Sequence, residues 1–86
     1  MKIVYSKDFL KQVGALPTKV QEQLDTLVHI LSNDPFYPTL HTKRLKGQLK
    51  SMLSFRITRD WRVIFIFQSS SEIRLISIGN RKDIYR

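Results

Sequence analysis

Two periodicities divide the chain. From residue 9 to residue 31 the large apolar side chains recur three or four apart. They are Phe9, Val13 and Leu16, then Val20, Leu24, Leu27, Val28 and Leu31. That spacing stacks side chains along one face of a helix. From residue 52 the rhythm becomes alternating. Leu53, Phe55 and Ile57 fall on one side, while Met52, Ser54, Arg56 and Thr58 fall on the other. A period of two belongs to a strand with one buried face. The pattern therefore predicts helices first and sheet second.

Punctuation sharpens this outline. Lys2 to Tyr5 reads as a short first strand. Ser6 follows as a hydroxyl N-cap, and Asp8 suits the positive end of the helix it opens. Gly14 weakens that helix and Pro17 interrupts it, Pro17 fitting the first turn of the next. Asn33-Asp34-Pro35 stops the second helix, so the two form a helical hairpin. Residues 36–50 read as loop, broken by Pro38 and Gly47. Arg62 to Gln68 is apolar on both faces and so predicts a central strand. Ser69-Ser70-Ser71 makes a turn, Glu72 to Ile78 the last strand, and Gly79 its end, leaving a tail from Asn80 to Arg86. With 86 residues, this is one α+β domain covering 1–86: a strand, a helical hairpin, then a three-stranded antiparallel meander.

The first turn of the meander fixes a register. A two-residue turn at Arg59-Asp60 would put Phe55 and Ile57 on the face opposite Trp61, Val63 and Phe65. A three-residue loop, Thr58-Arg59-Asp60, pairs Ile57 with Trp61 and gathers the large apolar groups on one face. Slipping a half-buried strand by one residue is costly, so the odd loop is preferred. It also sets Arg56 opposite Arg62 on the other face. Stability gives no reason to place two guanidiniums there.

Charge changes the picture next. Residues 43–86 carry eleven Lys or Arg against Asp60, Glu72 and Asp83, whereas residues 1–42 carry four Lys against four acids. The whole net charge of +8 therefore belongs to the second half. Phosphate polymers, acidic proteins and anionic membranes are the ligands such a face attracts. The longest apolar run, Val63 to Phe67, is far short of the roughly 20 residues a membrane span needs. No secretory leader is visible, and the reading is a cytoplasmic protein. There is no Cys, and His29 and His41 are too few for most metal sites. No metal and no small-molecule cofactor is expected.

The candidate chemistry is cationic. Arg56 and Arg62 are the best phosphate clamp, because a guanidinium is planar, permanently charged and able to grip phosphate through two N–H groups. The alternative is a pair of solvated strand arginines matched to Asp60 or Glu72. Arg81 and Lys82 lie just beyond the last strand, and Tyr85 either stacks on a base or relays a proton, or else tucks against the sheet edge. Lys43, Arg44, Lys46 and Lys50 form a basic cluster that either positions a nucleic-acid backbone, together with Arg59 in the turn and Lys82, or is simply a solvated loop. Trp61 belongs to the core by register, His29 is read as structural, and His41 is a loop histidine without a role. No carboxylate pair, nucleophilic triad or glycine-rich phosphate loop is present.

Three stretches in order, Arg44-Leu-Lys-Gly47, Phe55-Arg-Ile-Thr-Arg-Asp-Trp-Arg-Val-Ile-Phe65 and Ile78-Gly-Asn-Arg-Lys-Asp-Ile-Tyr85, resemble the RelE/ParE superfamily of toxins from type II toxin–antitoxin systems, and its RelE-like branch in particular. The resemblance spans essentially the whole chain. It implies one sheet with the helices on one face. It implies a toxin neutralised by a cognate antitoxin protein. It further implies a ribosome-dependent endoribonuclease that meets ribosomal RNA and cuts messenger RNA in the A site. There the 2′-hydroxyl attacks the adjacent phosphate, leaving a 2′,3′-cyclic phosphate without help from a metal. Carried onto this chain, Arg56, Arg62 and Arg81 take the basic catalytic positions and Tyr85 the aromatic near the terminus. Arg62 and Arg81 would stabilise transition-state charge and Tyr85 would stack on or orient a base. Some relatives have a lysine where Ser54 or Arg56 stands, and some a histidine near Asn80. Arginine is a poor general base, so the sequence assigns that role to no residue.

Two other readings remain open at this level. A ParE-like toxin poisons DNA gyrase without cutting RNA and generally lacks the basic catalytic set. A catalytically inactive basic module would bind nucleic acid and do nothing more.

Overall fold

The computed structural model describes residues 1–49 and 51–84. Five strands form one sheet: β1 (Lys2–Tyr5), β2 (Lys43–Arg44), β3 (Leu53–Arg56), β4 (Trp61–Phe67) and β5 (Glu72–Asn80). Their order is β1-β5-β4-β3-β2, with β1 parallel to β5 and every other pair antiparallel. β4 is the middle strand, as its two apolar faces predicted. Helices α1 (Lys7–Gly14) and α2 (Thr18–Asn33) separate β1 from the rest of the sheet in sequence.

Local chemistry explains the helix boundaries. The Ser6 hydroxyl accepts the Phe9 N–H at 3.0 Å and closes the start of α1. The same hydroxyl donates to the Ile76 carbonyl at 2.8 Å, tying the helix start to β5. α2 enters from Pro17 at an extended ψ of 142° and ends at Asp34, whose N–H donates to the Ile30 carbonyl at 2.9 Å.

The helices supply Phe9, Leu16, Val20, Leu24 and Leu31 to the core; the sheet supplies Leu53, Phe55, Ile57, Val63, Phe65, Ile73, Leu75 and Ile78. Both helices thus cover a single sheet face, α1 lying against β5 and α2 against β1. Full burial of each such side chain stabilises by about 1.5–3 kcal/mol. Trp61 is half-buried and packs against the edge of this core.

Two sequence expectations shift. The segment 36–50 is not featureless loop. It holds two short 3-10 helices, Pro38–Leu40 and Gly47–Leu49, with the edge strand β2 between them. A strand of two residues carries no readable alternation, so pattern alone could not find it. β5 runs through Gly79 to Asn80 instead of stopping at Ile78. A bulge is the reason. Ile64 pairs with Ser77 while Phe65 pairs with Leu75, which leaves Ile76 as the extra residue. Beyond it Ile78 returns to the buried face, Gly79 pairs with Arg62, and Asn80 pairs with Trp61.

The parallel β1 ends at Tyr5, so the edge of β5 beyond Leu75 needs other partners. Ser6 N–H donates to the Leu75 carbonyl at 3.1 Å, and the Gln12 side-chain oxygen accepts the Ile78 N–H at 2.8 Å. α1 therefore substitutes for the missing strand.

Candidate nucleic-acid interface

The site is built on the face without helices. Phe55 and Val63 point into the core, so their neighbours Arg56 and Arg62 point away from it. The two arginines are direct partners in the β3–β4 ladder. The Ile57 N–H donates to the Trp61 carbonyl at 2.9 Å, closing the three-residue loop that this register requires. Like charges directly opposite in a ladder cost about 0.2–1 kcal/mol. Here nothing compensates them. Among the described residues neither guanidinium pairs with Asp60, Glu72 or any other carboxylate.

The two arginines are held differently. Arg62 Nη1 donates to the Thr58 carbonyl at 3.0 Å, which anchors its head against the turn. Arg56 Nε is buried and has no hydrogen-bond partner among the described residues. A desolvated donor left unmade costs about 1–3 kcal/mol, and an anion seated beside it would remove that cost.

Between them lies a cleft of about 150 Å³ lined by His41, Lys43, Ser54, Arg56 and Arg62. Lys43 arrives through β2, where it pairs with Ser54. His41 arrives from the other end of the same short segment. Leu40 is fully buried, and the next residue, His41, adopts the left-handed conformation with φ 49°. Lys43 also lines a second, larger cleft of about 630 Å³ with Arg44, Leu45, Lys46 and Leu49. Lys43 thus lines both clefts, and each is bordered by cationic side chains.

The other predicted residues fall into place as follows. Arg59 is exposed in the β3–β4 turn. Arg81 is exposed too, and its N–H donates to the Asp60 carbonyl at 2.7 Å, so it stands at the turn end of the sheet near Arg56 and Arg62. Its side chain is not among those lining the smaller cleft. Lys82 is exposed in a short turn over residues 81–84 that Asn80 organises, its side-chain oxygen accepting the Lys82 N–H at 3.0 Å. That turn folds back over the strand: Ile84 Cβ lies 3.6 Å from where a Gly79 Cβ would sit. Lys50 and Tyr85 lie outside the described residues. His29 is exposed on α2, away from the site.

A family model described as a ParE-like toxin domain matches residues 18–83. The chain belongs to the ParE-like toxin family. The match covers α2, the basic cluster and all of the meander, including both arginines of the smaller cleft. Solved toxin structures share the fold. YafQ from E. coli superimposes with a TM-score of 0.82 at 20% identity, over 99% of this chain and 98% of that one. The YoeB/ParE toxin from Agrobacterium tumefaciens gives 0.78 at 21% identity, over 94% and 99%. The RelB–RelE antitoxin–toxin complex from Methanococcus jannaschii gives 0.77 at 18% identity, over 95% and 94%. No curated protein sequence matches the chain. The toxin fold and the family agree with the sequence resemblance.

Sequence reasoning brought Arg56 and Arg62 together by register but left His41 unplaced in this toxin. The signal for His41 was thin. It lies two residues before Lys43 and just past a Pro-containing turn, and only the burial of Leu40 shows where it is held.

Proposed function

We propose that this toxin is a ribosome-dependent endoribonuclease that inhibits translation by cutting messenger RNA in the A site. The observation that carries the reading is the Arg56–Arg62 pair. It consists of two opposed cations without a carboxylate among the described residues, one with a buried N–H unpartnered there, lining one cleft of about 150 Å³. Such a pair is unfavourable in the free protein and favourable once an anion enters. That makes it a binding device rather than a structural one.

In this reading Arg56 and Arg62 grip the scissile phosphate and stabilise the charge that builds on it as the 2′-hydroxyl attacks. The product is a 2′,3′-cyclic phosphate and a free 5′-hydroxyl, and the step needs no metal. Arg81, at the turn end of the same sheet, and Tyr85 meet the neighbouring ribose and base. Lys43, Arg44, Lys46, Lys50, Arg59 and Lys82 hold the messenger or ribosomal RNA backbone. Cleavage of free RNA is slow, because the ribosome supplies the alignment of the attacking hydroxyl. The protein acts in the cytoplasm. A cognate antitoxin covers it, as the M. jannaschii RelE is crystallised with RelB. An acidic segment on the antitoxin is the complement of the basic face.

Induced expression in cells without the antitoxin tests the reading. Labelled amino-acid incorporation should stop first, with DNA intact. Gyrase poisoning, the reading the ParE-like family description favours, would instead give trapped DNA breaks and filaments while translation continues.

A further inference from the structure

The ribonuclease reading needs a group that takes the proton of the attacking hydroxyl, and the cleft offers one. Of its lining residues, Lys43, Arg56 and Arg62 bring the positive charge that suits a phosphate, and Ser54 is only 1% exposed. His41 is the remaining one, and imidazole is the side chain that exchanges protons in the neutral range.

The chain around His41 is held at three points. Leu40 is fully buried in the core. The His41 N–H donates to the Pro38 carbonyl at 3.1 Å. The Thr42 hydroxyl donates to the Pro35 carbonyl at 2.6 Å. Lys43 then enters the sheet opposite Ser54. Between these anchors His41 takes a φ of 49°, a conformation that costs a non-glycine residue about 1 kcal/mol or more. Glycine would satisfy the backbone there at no steric cost. The imidazole makes no hydrogen bond with the described residues and is exposed at the cleft. The fold thus holds a strained, uncommitted histidine beside two guanidiniums that face no carboxylate among the described residues.

We infer that His41 accepts the 2′-hydroxyl proton during cleavage, an inference that rests on the ribonuclease reading. The imidazole takes the hydroxyl hydrogen as the oxygen forms its bond to phosphorus. The bond from phosphorus to the 5′ oxygen breaks, and its electron pair leaves with that oxygen. The departing alkoxide takes a proton from a water molecule. The hydroxide so formed recovers the proton from the imidazolium, and both groups return to their starting states. Arg56 and Arg62 hold the phosphate while this occurs, so acceptor and electrophile share one cleft.

The test is single-turnover cleavage on messenger-programmed ribosomes, comparing wild type with His41→Gly and His41→Gln. Glycine accepts the backbone conformation, and glutamine keeps polarity and bulk without taking a proton. Both variants should keep the wild-type unfolding midpoint to within a few degrees and cut roughly 100-fold more slowly. Imidazole added at tens of millimolar, an order-of-magnitude choice for a solute that binds weakly, should restore much of the His41→Gly rate and leave His41→Gln unchanged. Wild-type rates in either variant, or a slow His41→Gly that imidazole fails to restore, would overturn the role of His41 while leaving the ribonuclease reading intact. Wild type that makes no cut at all overturns both.

Discussion

Arg56 and Arg62 face each other across the β3–β4 ladder, and among the described residues only the Arg62 side chain has a hydrogen bond to hold it. The relationship separates stability from function. Arg56→Gln removes one of two opposed charges and the unpartnered buried Nε–H, and it breaks no hydrogen bond among the described residues. The variant should unfold at the wild-type temperature or up to about 4 °C higher, from roughly 0.2–1 kcal/mol of relieved repulsion. Its cleavage rate should fall by about 100-fold, the usual loss for one charge-stabilising donor. Calorimetry and cleavage on programmed ribosomes check the two halves. A variant that is both less stable and fully active would show that the pair is structural.

Ser6 joins α1 to β5 through two hydrogen bonds from one hydroxyl, at 3.0 and 2.8 Å. Ser6→Ala should therefore cost about 1–2 kcal/mol. Thr26→Ala is the control, because its hydroxyl makes a single exposed contact of 3.5 Å to the Glu22 carbonyl and should matter by less than about 0.5 kcal/mol. Denaturant midpoints at constant slope measure both.

Two glycines should respond oppositely to alanine. Gly47 has φ 69°, so a Cβ there is strained and Gly47→Ala should lose about 1–2 kcal/mol. At Gly79 the nearest atom to a new Cβ is Ile84 Cβ at 3.6 Å, an ordinary contact. Gly79→Ala should be neutral or more stable by up to about 1 kcal/mol, because the unfolded chain loses freedom. Thermal unfolding of the two variants side by side decides it.

How far these features could be read in advance depended on how many residues encode each one. The helices and β3 to β5 were legible because several apolar residues repeat at one period, and the Arg56–Arg62 pairing followed from keeping Ile57, Trp61 and Val63 on one face. β2 was not legible, since Lys43 and Arg44 carry no apolar alternation, and its place depends on pairing with Leu53 and Ser54. The parallel pairing of β1 with β5 joins residues about 70 apart and leaves no local mark. The β5 bulge was hidden for a similar reason. Ile73, Leu75 and Ile78 break strict alternation, and only the register with Ile64 and Phe65 explains the break. His41 shows the same limit at the site, because its position depends on Leu40 being buried and on a left-handed backbone.

The cationic surface makes a prediction about salt. If Lys46, which lines the larger cleft, contacts a phosphate, Lys46→Ala should make the dependence of RNA affinity on salt shallower by about 0.7 in the log–log slope. Exposed Lys19 on α2, away from both clefts, should leave the slope unchanged when replaced. Fluorescence anisotropy with single-stranded RNA across a salt series gives the slopes. Equal slopes for wild type and Lys46→Ala would remove Lys46 from the interface.

Primer extension on a defined messenger in a purified translation system tests the central claim most directly, with wild type beside Arg56→Gln and naked RNA beside ribosome-bound. The account predicts cuts confined to codons in the occupied A site, ending in a 2′,3′-cyclic phosphate and much weaker in the variant. Folded wild type that leaves ribosome-bound messenger whole would contradict it. So would undiminished cutting by Arg56→Gln.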